Sequence, residues 1–118
     1  MAKFLFVLTR GLEAPSRATR CMQLAYMAKQ EGHDVSVFLL DDAVVYAKKG
    51  MSENVVAPTG DEMSTYMEFF MREGVQLHAC TPCAKARQLD EKDFIENAKL
   101  DTAKTLIAMA AESKVFTF

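Results

Sequence analysis

Short apolar runs alternate with longer segments of helical spacing along the whole chain. Residues 3–8 (KFLFVL) are almost continuously apolar, and residues 34–40 (DVSVFLL) are rich in branched and aromatic side chains. Runs of this kind indicate strands that are buried on both faces of a parallel sheet. Three further runs, at residues 75–80, 98–100 and 114–118, complete a set of five predicted strands.

The segments between the strands have the periodicity of helices. Residues 15–31 begin at Pro15, which suits the first turn of a helix, and are followed by Gly32, which suits its end. One face of this predicted helix carries small and apolar side chains, namely Ala18, Cys21, Met22, Ala25 and Ala28. Shorter helices are predicted over residues 43–49, over residues 82–89, and from a cap at Asp101 or Thr102 through Ala111.

Capping residues mark where several helices should begin. Thr59 is followed three positions later by Glu62, a capping-box spacing that predicts the start of a helix ending at Gly74. Thr81 is a predicted N-cap, with Pro82 as the first helical residue. The last predicted helix is expected to face the core with Leu106, Ile107 and Ala110.

This order of elements predicts one α/β domain over residues 1–118. Alternating strands and helices are typical of a parallel sheet covered on both faces, so we expect a three-layer α/β/α fold around five parallel strands. In such sheets the functional crevice lies beyond the carboxyl ends of the strands. The residues expected there are 9–11, 41–42, 80–83 and 101–102.

Composition and charge narrow the possible functions. The chain has 118 residues, 50% of them hydrophobic and 25% charged, which is typical of a globular domain with its own core. The net charge is −2 and the basic residues are scattered, so no nucleic-acid partner is expected. No apolar run approaches the roughly 20 residues that span a bilayer, and the first residues lack a signal-peptide layout. We therefore expect a cytoplasmic protein with no membrane partner.

The candidate chemistry is concentrated between His78 and Cys83. Three cysteines in such a chain do not indicate a disulfide framework. Cys80 lies where a strand should end and a helix begin, and the unpaired backbone N–H groups there favour a thiolate. We therefore expect the Cys80 thiol to lose its proton more readily than free cysteine.

The residues alone leave four interpretations of this segment open. Cys80 could accept sulfane sulfur as a persulfide, or Cys80 and Cys83 could form a redox pair. His78, Cys80 and Cys83 could instead be ligands of zinc or iron, although a structural site needs a fourth ligand. Finally, both thiols could be inert buried residues, as cysteines often are.

Several segments resemble the DsrE/DsrF-like family, which includes the TusBCD-type sulfur-transfer subunits. The resemblance lies in the opening strand with its short loop, and in residues 34–44 (DVSVFLLDDAV), 75–80 (VQLHAC) and 106–118 (LIAMAAESKVFTF). Its most specific element is a cysteine that closes the third strand and enters a short helix, here Cys80.

The resemblance implies a role for Cys80 and a quaternary structure for the protein. Cys80 would be the sulfur acceptor, and the protein would be a carrier of sulfane sulfur rather than a turnover enzyme. A homotrimer or homohexamer and no bound cofactor are also implied. We further expect sulfur donor and acceptor proteins as partners, and no metal. Cys83 departs from the pattern of the transfer subunits and is interpreted as a resolving or modulating thiol, with His78 as a candidate aid to proton transfer.

Two other functions stay open beside the sulfur carrier. One is a non-catalytic oligomeric interaction or regulatory module of the same fold, and the other is a CxxC thiol–disulfide redox protein.

The remaining candidate residues lie outside the CxxC segment. Cys21 is expected to be a core residue. An anion site or solvated surface is possible at Arg10, Arg17 and Arg20. A core or a subunit interface is expected for the stripe of Met63, Met67 and Met71.

Overall fold

The computed structural model describes all of residues 1–118 and contains one five-stranded sheet. The strands are β1 (Lys3–Leu8), β2 (Asp34–Leu39), β3 (Leu77–Cys80), β4 (Ala98–Asp101) and β5 (Lys114–Thr117). The α-helices are α1 (Pro15–Gln30), α2 (Met63–Glu73), α3 (Thr81–Ala86) and α4 (Ala103–Ala111). Two 3-10 helices span Asp41–Ala47 and Glu91–Asp93, the first of them two residues earlier than the helix predicted there.

Every strand pair in the sheet is parallel, in the order β4-β3-β2-β1-β5. The chain steps from β1 to β4 in one direction and then returns across the sheet to β5. Because such crossovers are right-handed, the return places α4 on the face opposite to α1, α2 and α3. The predicted three-layer α/β/α fold with five parallel strands is therefore confirmed.

The central strands are buried on both faces, as their apolar runs predicted. All four residues of β3 are buried, and so are the last four residues of β1. The largest fully buried side chains include Phe6, Phe38, Tyr46 and Phe70. Burial of aromatic side chains of this size supplies much of the hydrophobic stabilisation of such a domain.

Helix α2 packs against α1, and this packing shows whether the stripe of Met63, Met67 and Met71 belongs to the core or to a subunit interface. Met63 and Met67 are buried in the core, and only Met71 is exposed, at 42%. Tyr26 of α1 contacts Tyr66 and Phe69, with ring centroids 5.2 and 4.6 Å away. The stripe is therefore mainly a core element, which leaves little of it for a subunit interface.

The capping box predicted at Thr59 is wrong, because α2 begins at Met63 with Glu62 as its N-cap. The Thr59 hydroxyl instead accepts a hydrogen bond from Arg20 of α1 at 2.8 Å and donates one to Asp61. Asp61 also pairs with Arg20 at 3.1 Å and accepts a hydrogen bond from Tyr66 at 2.8 Å. The predicted end of α2 is confirmed, since Gly74 adopts the left-handed conformation with φ 72°.

Asp61→Asn should destabilise the protein at neutral pH and lose that effect in acid. The hydrogen bond from Thr59, together with those from Tyr66 and Arg20, lowers the pKa of Asp61 to about 2. A folded-state pKa below the unfolded value of about 3.9 gives stability that is present above pH 4 and is lost as pH falls toward 2. We expect a loss of about 1–3 kcal/mol in urea unfolding at pH 7.

Asp34→Asn is the matched control for this variant, because the Asp34 side chain makes no hydrogen bond. Its free energy of unfolding should stay close to that of the wild type at every pH. A difference between Asp61→Asn and wild type that persists unchanged at pH 2 would contradict the electrostatic explanation.

The C-terminal segment is the least buried part of the domain. Helix α4 contacts the core through the half-buried side chains of Leu106, Met109 and Ala110. The expectation that Ile107 faces inward is wrong, because its side chain is 69% exposed. All four residues of the edge strand β5 are exposed as well.

None of the helices is both long and apolar enough to cross a membrane.

Candidate functional site

Cys80 is the last residue of β3 and the N-cap of α3, at the carboxyl edge of the sheet. Thr81 was predicted to cap this helix, but it is the first helical residue and Pro82 is the second. The Thr81 hydroxyl is engaged elsewhere, because it donates to the backbone carbonyl of Asp101 at 2.8 Å. Helix α3 ends at Ala86, three residues before the predicted end.

The two thiols of the CxxC segment face each other. Cys83 lies in the first turn of α3, and its Sγ is 2.7 Å from the Sγ of Cys80. Both residues are free cysteines, and the separation exceeds the roughly 2.05 Å of a disulfide bond. Cys80 is buried, with 8% exposure, whereas Cys83 is half-buried. Of the pair, Cys83 is therefore the thiol with more access to solvent.

The electrostatics of Cys80 differ from the sequence-based expectation. Burial raises the pKa of the Cys80 thiol, and its hydrogen bond with the Cys83 sulfur, which favours the protonated form of Cys80, and the negative charges of Cys83 and Asp41 raise it further. The backbone N–H of Cys83 lowers this pKa, but with less effect than burial. The predicted ease of deprotonation at the helix start is thus wrong for the resting protein, because burial outweighs the hydrogen bond from the Cys83 backbone.

Two adjacent aspartates bring the 3-10 helix Asp41–Ala47 against α3. Asp41 adopts a positive φ of 50°, and its Oδ1 is 3.9 Å from Cys83 Sγ. Asp42 accepts a hydrogen bond from Arg87 at 2.7 Å, and Arg87 also donates to the Cys83 carbonyl at 3.1 Å. These contacts hold the turn that carries Cys83 in place.

Gly11 allows this turn to sit close to the β1–α1 loop. A Cβ atom at Gly11 would lie 2.6 Å from the Asp42 carbonyl oxygen, so no other residue fits without a backbone shift. The first loop therefore packs directly against Asp42. Neither aspartate caps the 3-10 helix through its side chain.

The His78 side chain forms its hydrogen bond with an aspartate and not with a thiol. Its Nδ1 donates to Asp101 Oδ2 at 2.9 Å, and its ring stacks on Phe38 with centroids 5.6 Å apart. Burial raises the pKa of Asp101, but hydrogen bonds from His78 and the Thr102 backbone leave it below its usual range. His78 makes no hydrogen bond to Cys80 or Cys83. Its geometry therefore supports a structural role more directly than the predicted aid to proton transfer.

Asp101 was expected at this edge of the sheet but without a role, and Arg87 was not predicted as a site residue. The position of Asp101 after a predicted strand was the available signal, because carboxyl ends of neighbouring parallel strands meet at one edge. In the structure Asp101 pairs in register with Cys80. Arg87 had no such signal, because its partner Asp42 is far away along the chain.

The other candidates lie apart from the thiol pair. No group of three or more His, Cys, Asp or Glu side chains has metal-binding geometry, so His78, Cys80 and Cys83 do not form a ligand set. Arg17 and Arg20 line an open cavity of about 560 Å³ that contains no cysteine. Cys21 is fully buried, and burial raises the pKa of its thiol far above the ordinary value, which confirms it as a core residue.

Comparison with known proteins gives consistent matches over the whole chain. The model of the DsrE/DsrF-like family matches residues 2–118. An uncharacterised protein of Methanocaldococcus jannaschii is 37% identical over 121 aligned positions, covering 98% of this chain and 99% of that protein. One from Methanopyrus kandleri is 37% identical over 107 residues, covering 86% and 83%.

Two solved structures share the fold. The ychN protein of E. coli superposes with a TM-score of 0.84 at 22% identity, and each chain is covered completely. A protein of unknown function from Methanobacterium thermoautotrophicum superposes with a TM-score of 0.71 at 15% identity, again over both complete chains. At these identities the likeness extends to the fold alone.

Proposed function

This chain belongs to the DsrE/DsrF-like family, and from that premise we propose that it is a carrier that holds sulfane sulfur as a persulfide on Cys80. Family membership suggests a role of the sulfur-relay type. The observation that carries the proposal is the position of Cys80 at the carboxyl edge of the sheet, with its sulfur in contact with a second thiol. This is the edge at which parallel α/β sheets present their functional groups.

The chemistry of loading requires only the thiolate of Cys80. The Cys80 sulfur attacks the outer sulfur of a donor persulfide, forms a new S–S bond, and displaces the donor as a thiolate. An acceptor nucleophile then takes the terminal sulfur and releases Cys80 as a thiolate. The sulfur atom stays covalently bound throughout, so the carrier needs no cofactor.

The proposed partners are a sulfur donor protein and a sulfur acceptor protein. The proposed location of the protein is the cytoplasm, where thiols stay reduced.

Loading should be visible in the intact mass of the wild-type protein. After incubation with inorganic polysulfide under anaerobic conditions, we expect an adduct of about 32 Da that reducing agent removes. Because burial raises the pKa of Cys80, the loading rate should rise with pH between about pH 7 and pH 9 instead of levelling off at neutrality. Peptide mapping of the alkylated adduct should locate the extra sulfur at Cys80.

Two results would contradict sulfur loading on Cys80. Protein that gains no sulfur at any pH, while a free-cysteine peptide gains it, would favour a non-catalytic interaction or regulatory module. An adduct found on Cys21, which is fully buried, would indicate unfolding rather than carrier function.

A thiol–disulfide redox protein is the second candidate, and the 2.7 Å contact between Cys80 and Cys83 favours it. A redox pair would reduce a disulfide substrate and end as a Cys80–Cys83 disulfide without any sulfane sulfur present. Insulin reduction monitored with and without added polysulfide separates the two functions. Catalysed reduction in the absence of polysulfide would support the redox function.

The quaternary structure that we propose is a homotrimer or homohexamer, with α4 and β5 as the contact surface. Within ten residues this segment contains Ile107, Val115 and Phe116, which are three of the eight exposed large hydrophobic side chains. Strand β5 is also the edge of the sheet, so one side of its backbone is unpaired. Exposed apolar edge strands are commonly covered by another chain, and a second copy of this chain fits that requirement.

A further inference from the structure

We propose that Cys83 is a resolving thiol that discharges the Cys80 persulfide as hydrosulfide when no acceptor takes the sulfur. This role rests on the proposed carrier function and adds a limit on how long the carrier holds its sulfur. The carrier then has two outcomes after loading. Transfer to an acceptor retains the sulfur at the sulfane level, and attack by Cys83 reduces it.

The geometry selects which sulfur Cys83 attacks. Cys83 Sγ is 2.7 Å from Cys80 Sγ, which becomes the inner sulfur of the persulfide. The terminal sulfur would be one bond farther along. Attack on the inner sulfur therefore needs little movement of either side chain, whereas capture of the terminal sulfur by Cys83 requires a larger rearrangement.

The attacking thiol is held in position by its surroundings. The carbonyl of Cys83 accepts a hydrogen bond from Arg87, and Arg87 is paired with Asp42. The thiol itself is oriented between Cys80 Sγ and Asp41 Oδ1. A nucleophile held in contact with its target reacts far faster than one that arrives from solution.

The discharge step balances without an external base or oxidant. The Cys83 sulfur forms a bond to Cys80 Sγ, and the bond between Cys80 Sγ and the terminal sulfur breaks. The proton of the Cys83 thiol ends on the departing sulfur, which leaves as hydrosulfide. The Cys83 sulfur is oxidised to the disulfide level, and the terminal sulfur is reduced from the persulfide to the sulfide level.

The product is a Cys80–Cys83 disulfide, which cannot accept sulfur. A thiol reductant, of the small-molecule or dithiol class, must reopen it by thiol–disulfide exchange before the next cycle. The same pair therefore makes loading sensitive to the thiol supply, because the carrier returns to the cycle only where reductant is available.

The test is to follow the fate of the persulfide in Cys83→Ser and Cys83→Ala beside the wild type. Each protein is loaded with inorganic polysulfide, separated from the excess by rapid desalting, and monitored by intact mass and by bimane trapping of sulfide. The wild type should lose the about 32 Da adduct, release sulfide, and finish about 2 Da below the reduced mass. Both Cys83 variants should keep the adduct at least about tenfold longer and release little sulfide.

Cys21→Ser is the matched control, because it removes a thiol that does not contact the pair. It should discharge like the wild type. Equal adduct lifetimes in wild type and both Cys83 variants would overturn the resolving role while the carrier function stands. Failure of every protein to load would overturn the carrier function and the resolving role together. Migration of the adduct to Cys83 would overturn attack on the inner sulfur.

Discussion

Cys80→Ser is expected to abolish sulfur loading completely. Serine keeps the size and hydrogen-bonding capacity of the side chain, but its hydroxyl is not an effective nucleophile without an adjacent base. His78 on the same strand does not supply such a base, because it donates to Asp101. The measurement is the intact mass after polysulfide treatment, in which the adduct of about 32 Da should be absent.

Two variants of the other cysteines provide the comparison for this loss. Cys21→Ser changes a fully buried thiol and should load like the wild type. Cys83→Ser should also load, because Cys83 acts after the persulfide has formed. A Cys80→Ser protein that gains sulfur as fast as the wild type would assign the carrier role to Cys83, which is the more exposed thiol of the pair.

Ile107→Asp combined with Phe116→Asp is expected to convert the proposed oligomer into monomers. Ile107 is 69% exposed on α4 and Phe116 is 43% exposed on β5, so both should lie at the contact between copies. A carboxylate buried at such a contact without a partner carries a desolvation cost of several kcal/mol per ion. Light scattering after size exclusion should give a trimer or hexamer mass for the wild type and a monomer mass for the variant.

Met27→Asp is the matched control, because Met27 is a similarly exposed apolar residue, at 46%, on α1. It should leave the oligomer mass unchanged. Because Phe116 also stacks on the core residue Phe6, with ring centroids 5.2 Å apart, circular dichroism must show that both variants keep the wild-type helix content before their masses are compared. A wild type that is monomeric at micromolar concentration would contradict the oligomer, and an unchanged mass for the double variant would place the interface elsewhere.

The local sequence pattern determined the architecture of this protein. Near-continuous apolar runs specified the buried strands, and the helices between them required parallel pairing, so five parallel strands in one domain followed directly. The carboxyl-edge position of Cys80 followed as well, because the end of a strand in a parallel sheet determines the edge. The buried state of Cys21 was predictable from its helical spacing with Ala18 and Ala25.

Only the tertiary structure decided which partners the polar groups of the site would find. His78 meets Asp101 from 23 positions away, and Arg20 meets Asp61 from 41 positions away. Arg20 and Asp61 also engage the Thr59 hydroxyl, which caps no helix, and α2 starts at Met63. Sequence spacing detects interactions within one turn of helix, but it does not detect competition from a side chain on another element.

The protonation of Cys80 and the exposure of Ile107 likewise depend on how all the elements of the folded chain pack together. The helix-start position suggested an acidic thiol, but the raised pKa of Cys80 results from burial beneath surrounding elements and from the neighbouring Cys83 and Asp41. The spacing of α4 suggested that Ile107 faces inward, yet one helix over a sheet edge buries only part of its apolar surface. Burial is a property of all the elements packed together, so periodicity predicts that a helix has an apolar face but not how much of it is covered.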